Sequence, residues 1–190
     1  MIRLENIVKK YGDNIVLDNF SLELSRGERL AVMGESGCGK TTLLRIIAGL
    51  TEADGGEISR NGDISYMFQE PRLLPWKTAE ENVCAVLGKE KFPLAQRYLS
   101  LVGLADANKK YPRELSGGMA QRVAFARFLA FAEETGADIL LLDEPFSALD
   151  SETEAQMLNI LLEFASDKTV ILVTHDDDTA QKLGGMVVKM

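Results

Sequence analysis

One segment constrains the fold of this chain above all others. Arg29 to Met33 (RLAVM) reads as a short apolar strand, GESGCGKTT follows from Gly34, and Thr41 to Leu50 (TTLLRIIAGL) reads as a helix. The loop carries G-x-x-x-x-G-K-[ST], in which side-chain-free positions let backbone N–H groups close around phosphates while Lys40 and Thr41 address a terminal phosphate and Mg²⁺. A helix that starts there turns its positive end toward the same anion. Gly34, Glu35, Ser36, Gly37, Cys38, Gly39, Lys40, Thr41 and Thr42 therefore form a candidate phosphate cradle. A glycine-rich turn in an ordinary α/β domain is the competing reading, and the order strand, loop, helix argues against it.

A second acidic segment is suited to the same chemistry. Ile139 to Leu142 is a continuous apolar run, so a buried strand delivers Asp143 and Glu144 to a sheet edge, where nucleotide sites of doubly wound folds lie. Asp143 is placed to help hold Mg²⁺ and Glu144 to polarise an attacking water as general base. LSGGMAQR puts Ser116, Gly117 and Gly118 just ahead of the apolar, helical stretch Val123 to Phe131. Two readings of it stand, a second phosphate-binding helix terminus and a surface helix begun by glycine. Two such termini but one Asp-Glu pair suggest that the second terminus meets nucleotide held by another copy. His175, the one histidine, follows the apolar run Thr169 to Val173 and reads either as a structural residue or as a site residue.

Around these segments the chain reads as α/β, with a mostly parallel sheet, a small antiparallel subdomain and an inserted helical lobe. Ile2 to Val8 and Phe20 to Leu24 alternate like paired antiparallel strands, and Glu57 to Phe68 suggests two short strands meeting in a tight turn at Asn61-Gly62. Pro71 and Pro75 then interrupt the chain. Ala79 to Leu87 and Leu94 to Val102 read as helices, giving a lobe of about residues 70–116 within a single domain of residues 1–190. Ser151 with Glu154 reads as a capping box for the helix after the Asp-Glu pair.

The formal net charge of -8 argues against broad binding to a nucleic-acid backbone. Cys38 and Cys84 lack metal-ligand spacing and read as reduced cytosolic thiols. No apolar run approaches the length needed to span a bilayer, so any service to a membrane is rendered from outside the lipid.

Together with Gln69, FSALD at Phe146 to Asp150 and THD at Thr174 to Asp176, these segments resemble the ATP-binding-cassette ATPases over essentially the whole chain. The P-loop nucleotide hydrolase core is what that resemblance implies, with ATP and Mg²⁺ as ligands and a head-to-tail homodimer that sandwiches ATP between the glycine loop of one subunit and LSGG of the other. It further implies that Gln69 touches Mg²⁺ and the attacking water, that Ser116, Gly117, Gly118 and Gln121 address the opposite nucleotide, and that Asp150 makes an inter-subunit contact. By the same resemblance His175 holds the γ-phosphate and orients Glu144, while Tyr11 in KKYGDN stacks on adenine, a turn-packing tyrosine being the alternative. FQEPRLLPWKTAEENV is most similar to importer ATPases of the nitrate, sulfonate and taurine group. Trp76 within it reads as facing a membrane partner or as packed in the helical lobe.

The implied function is ATP hydrolysis on the cytoplasmic face beneath transmembrane permease subunits, with an external substrate-binding protein engaged indirectly and no nucleic acid. A soluble cassette ATPase acting on DNA or ribosomes is the alternative. The chain departs from the family pattern in a short Lys40 to Gln69 interval, which implies a trimmed small sheet, in Glu35 where importers commonly carry proline, and in Ala120 where a polar residue is usual.

Overall fold

The computed structural model describes residues 1–87 and 91–190. Its strands are β1 (Ile2–Tyr11), β2 (Asn14–Leu24), β3 (Arg29–Met33), β4 (Gly55–Arg60), β5 (Ile64–Met67), β6 (Ile139–Asp143), β7 (Thr169–Val173) and β8 (Met186–Lys189). Its helices are α1 (Lys40–Ala48), α2 (Ala79–Cys84), α3 (Phe92–Leu101), α4 (Gly117–Thr135), α5 (Ser151–Phe164) and α6 (Asp177–Leu183). The chain divides into two units, Met1–Tyr66 with Asp138–Glu144 and Ala165–Met190, and Met67–Ala137 with Pro145–Phe164.

The first unit bears out the expected α/β class. It contains a sheet of order β5-β6-β7-β3-β8, in which β3 runs parallel to both β7 and β8 and β6 runs parallel to β7. Every residue of β6 and β7 is buried, which is why both read as unbroken apolar runs rather than alternating ones. A smaller antiparallel sheet has the order β2-β1-β4. Its pairing of Ile2 with Leu24 and Leu4 with Leu22 follows the alternation, but the next core residue, Ile7, is three positions on rather than two. A bulge absorbs the extra residue. Asn6 there takes a left-handed φ of 53°, and Ile7 returns to the core beside Ile2, Leu4, Leu17 and Leu24. Leu43, Leu44, Ile46 and Ile47 of α1 enter the same core, each stabilising it by about 1.5–3 kcal/mol in gross transfer terms.

The turn expected at Asn61-Gly62 is not a hairpin. β4 pairs with β1, whereas β5 lies at the edge of the larger sheet next to β6, so Asn61-Gly62 carries the chain from one sheet to the other. Gly62 has a φ of 124° there, which accounts for the glycine without a hairpin.

In the second unit α4 packs against α2 and α3, and Phe125 stacks on Phe128 and meets Phe146 edge to face. Ser116 caps α4 by accepting the N–H of Met119 at 3.2 Å, so Gly117 and Gly118 are the first helical residues and not a loop ahead of the helix. The capping box expected from Ser151 and Glu154 is replaced in the same way. Asp150 accepts both the N–H and the hydroxyl of Thr153 at 2.9 Å, and Ser151 is already inside α5.

Fully buried Asn82 on α2 organises the segment ahead of it. Its Oδ1 accepts the N–H of Leu74 at 2.7 Å, and its amide donates toward the carbonyls of Leu74, Lys77 and Thr78 at 3.2, 3.0 and 3.0 Å. Asn82→Ala strands buried main-chain groups and is expected to destabilise the protein by about 2–3 kcal/mol, measured by urea denaturation.

Candidate functional site

Three parallel strands of the first unit end side by side. Val32 pairs with Val173 and Asp143 pairs with Val173 on its other flank, while Thr174 donates its N–H to Val32 and Glu144 donates its own to Val173. The residues that leave these strand ends are Gly34 after β3, Asp143 and Glu144 at the end of β6, and His175 after β7. The sequence-expected groups at the glycine loop, the acidic pair and the histidine therefore come off one edge of one sheet, at its carboxyl end.

The loop cannot carry side chains at two of its glycines. A Cβ on Gly39, where φ is 111°, would lie 2.7 Å from Cγ1 of Val16 in β2, and one on Gly34, where φ is 153°, would lie 2.7 Å from Sγ of Cys38. The first of these contacts also shows the small sheet packed against the loop, the sheet that ends in Tyr11. Lys40, the first residue of α1, is 6% exposed, and its ammonium donates to the carbonyls of Gly34 at 2.9 Å and Glu35 at 2.7 Å. No ion pair among the described residues involves it. A buried cation held by neutral dipoles, with no carboxylate paired to it among the described residues, is favourably placed for an anion to arrive.

Thr41 and Asp143 stand beside it. The Thr41 hydroxyl donates to Oδ1 of Asp143 at 3.0 Å, which leaves the oxygen lone pairs of the threonine for a hard cation. Burial holds the Asp143 carboxyl above the usual carboxylate range; the Thr41 hydrogen bond acts against this and the neighbouring Glu144 charge adds to it. Tyr66, at the end of β5, donates to Oδ2 of Asp143 at 3.4 Å. Burial first, and the Asp143 charge next, push its hydroxyl far above the ordinary tyrosine range, so it remains a donor. Nothing in its spacing marks Tyr66 as a site residue, because a tyrosine in an alternating strand reads as packing.

Glu144 adopts a left-handed backbone with φ of 46°, a conformation that costs a non-glycine residue energy and collects at functional positions. His175 is exposed, and Asp176 after it caps α6 by accepting the Thr179 N–H at 2.7 Å. Tyr11 is 51% exposed at the β1–β2 turn, with the Lys9 ammonium 5.5 Å from its ring centre. Its ring is not packed into the turn.

The second unit gathers the remaining residues. Ser116 and Gly117 are exposed at the start of α4, and a Cβ on Gly118 would sit 3.2 Å from the carbonyl of Ala148, two residues before Asp150. Gln121 is 2% exposed, and its amide donates to the carbonyls of Pro145 at 2.8 Å and Gln69 at 3.4 Å. It is turned inward, so a nucleotide contact would require that amide to be released. Arg127, farther along α4, donates to the carbonyls of Pro71 at 2.6 Å and Arg72 at 3.0 Å. Trp76 is 71% exposed, which excludes packing within the helical lobe.

Comparisons with known proteins agree with this arrangement. Residues 17–147 match the model of the ABC transporter family. An aliphatic sulfonates import ATP-binding protein, SsuB of Cupriavidus necator, is 42% identical over 200 residues, covering 98% of this chain and 65% of that relative. The SsuB of Bacillus subtilis is 43% identical over 196 residues, covering 96% of this chain and 75% of the relative. Among solved structures, a dimeric post-hydrolysis state of the ATP-binding cassette MJ0796 bound to ADP and Pi superposes with a TM-score of 0.88 at 32% identity, covering 100% of this chain and 94% of that one. The chain belongs to the ABC transporter family, as an ATP-binding cassette of the kind whose members hydrolyse ATP.

Proposed function

We propose that this chain is the ATP-hydrolysing subunit of an importer, and the observation that carries this reading is the buried Lys40 ammonium beside the Thr41–Asp143 pair at one sheet edge. The amides of Gly34 to Thr42 cradle the phosphates and Lys40 reaches the terminal one. The residues present fit a divalent cation: Thr41 and Asp143 offer hard oxygens and would hold it, and Gln69 is the further donor that the family resemblance implies. When bound, Mg²⁺ neutralises charge that develops on the transferring phosphoryl group. Glu144 accepts a proton from the water that attacks the γ-phosphorus, and His175 from the neighbouring strand end orients it and contacts the γ-phosphate.

Tyr11 supplies a face for adenine. Ser116, Gly117 and Gly118 bring the α4 terminus to nucleotide held by a second copy, with Asp150 at the contact between copies. The dimeric state of the MJ0796 cassette supports this homodimer. Gln121 serves the site by holding its own unit in place. The whole forms a single ATPase domain of residues 1–190 with a helical part at about 70–116.

The names of the sulfonate import relatives support permease partners, an external binding protein met only through them, and a place on the cytoplasmic face of the membrane. Among the described residues no helix is long and apolar enough to cross a membrane. Those relatives give the alternative of acting on DNA or ribosomes no support. Phosphate release from ATP that requires Mg²⁺, together with recovery of a multi-span permease when tagged protein is captured from detergent-solubilised native membranes, is the expected result. ATP turnover with ribosomal or DNA-bound partners instead would overturn the importer reading.

A further inference from the structure

A carboxylate held through one oxygen swings about its Cβ–Cγ bond more readily than one held through both. Asp143 is of the second kind. Thr41 of α1 donates to Oδ1 at 3.0 Å and Tyr66 of β5 donates to Oδ2 at 3.4 Å. Arg45, one helical turn beyond Thr41 and therefore on the same face of α1, brings its positive charge within electrostatic reach of both Tyr66 and Asp143. A phenol both donates and accepts, so Tyr66 can accept from a cation while it donates a hydrogen bond to Asp143. The carboxylate plane is thus set by Thr41 of α1, Tyr66 of β5 and Asp143 of β6, residues that all belong to the first unit.

We propose that Tyr66 is a positioning residue for the divalent cation: its hydroxyl fixes the orientation in which Asp143 faces the cation, and Arg45 fixes the hydroxyl. The inference rests on the reading of Thr41 and Asp143 as the cation end of the site. Its logic is that of other outer partners of metal ligands, whose loss weakens metal binding without removing a ligand. Thr41 is itself a cation donor, so its hydrogen bond to Asp143 is shared with that duty. Tyr66 is not among the cation donors of this reading, so its bond to Asp143 does not compete with the cation for the same oxygen.

Tyr66→Phe tests this because it removes one oxygen and keeps the ring. Mn²⁺ binding to the protein with the non-hydrolysable analogue AMP-PNP is followed by electron paramagnetic resonance, and AMP-PNP binding is measured separately in EDTA. Mn²⁺ affinity is expected to fall about 10-fold, at the weak end of what loss of an outer partner does, with AMP-PNP affinity in EDTA and thermal stability unchanged. Unchanged Mn²⁺ affinity overturns the proposal, and so does an equal loss in EDTA, which would mark Tyr66 as core packing. Should Tyr66→Phe fail to fold, Arg45→Gln is expected to weaken Mn²⁺ binding in the same direction, and no change there also overturns it. Wild-type protein that binds AMP-PNP equally well with and without Mn²⁺ would instead remove the cation reading on which the inference stands.

Discussion

Glu144→Gln is expected to slow ATP hydrolysis by about 10²–10⁴-fold while ATP binding is retained, the range seen when a positioned general base is lost. Glutamine keeps the shape and can still hydrogen-bond the water, but it cannot take the proton. The structure sharpens the expectation. The Glu144 N–H is spent on the Val173 carbonyl at 3.1 Å, and the left-handed backbone is imposed by the turn at the end of β6, so the substitution leaves the main chain where it is. Phosphate release measured beside binding of a fluorescent ATP analogue separates the two effects. Hydrolysis at the wild-type rate would sink the assignment of Glu144 as base.

Lys40→Ala acts at the other step and is expected to weaken ATP binding by at least about 10–100-fold, the worth of one or two charge-assisted hydrogen bonds to phosphate. Lys40 is 6% exposed, and among the described residues its ammonium donates to the Gly34 and Glu35 carbonyls and makes a longer contact to Cys38 Sγ at 3.9 Å. Alanine deletes the cation nearest the cradle and frees the carbonyls it had turned aside, which then face an anion with the wrong sign. Calorimetric titration with ATP measures the loss, and wild-type affinity in the variant would take Lys40 out of the phosphate site.

How far this site could be read in advance depended on whether a residue's role is expressed in its neighbours along the chain. Lys40 follows a strand and a glycine-rich loop, and Asp143 and Glu144 come at the end of an apolar strand, so the role of each is expressed in the run around it. Ser116 was legible as a helix terminus, but whether the glycines lie before or inside the helix turns on which residue caps it, and the Ser116 side chain decides that. At α5 the competition between Asp150 and Ser151 for the same cap went to the aspartate, whose two oxygens satisfy Thr153 twice. Asn61-Gly62 has the local signature of a hairpin. What it does was settled by which sheet offered each flanking strand a partner, a matter decided some eighty residues away at β6.

Two features left no pattern. β8 is four residues of an edge strand with Met186 and Val187 well exposed, so it lacks the apolar alternation by which strands announce themselves. Tyr66 looks like any aromatic residue in a strand until β6 is laid beside β5 and Asp143 arrives at its hydroxyl. The inward turn of Gln121 belongs to the same class, since an amide in a polar motif reads equally well as facing a ligand or a carbonyl.

The grip of α4 on the segment that begins at Gln69 includes bonds to main-chain oxygens, Gln121 reaching the Gln69 carbonyl and Arg127 those of Pro71 and Arg72. Every amino acid brings the same carbonyl to such a clamp. Those particular bonds do not depend on which side chains Pro71 and Arg72 carry, so these two positions can be rewritten to suit a different neighbour without loosening them.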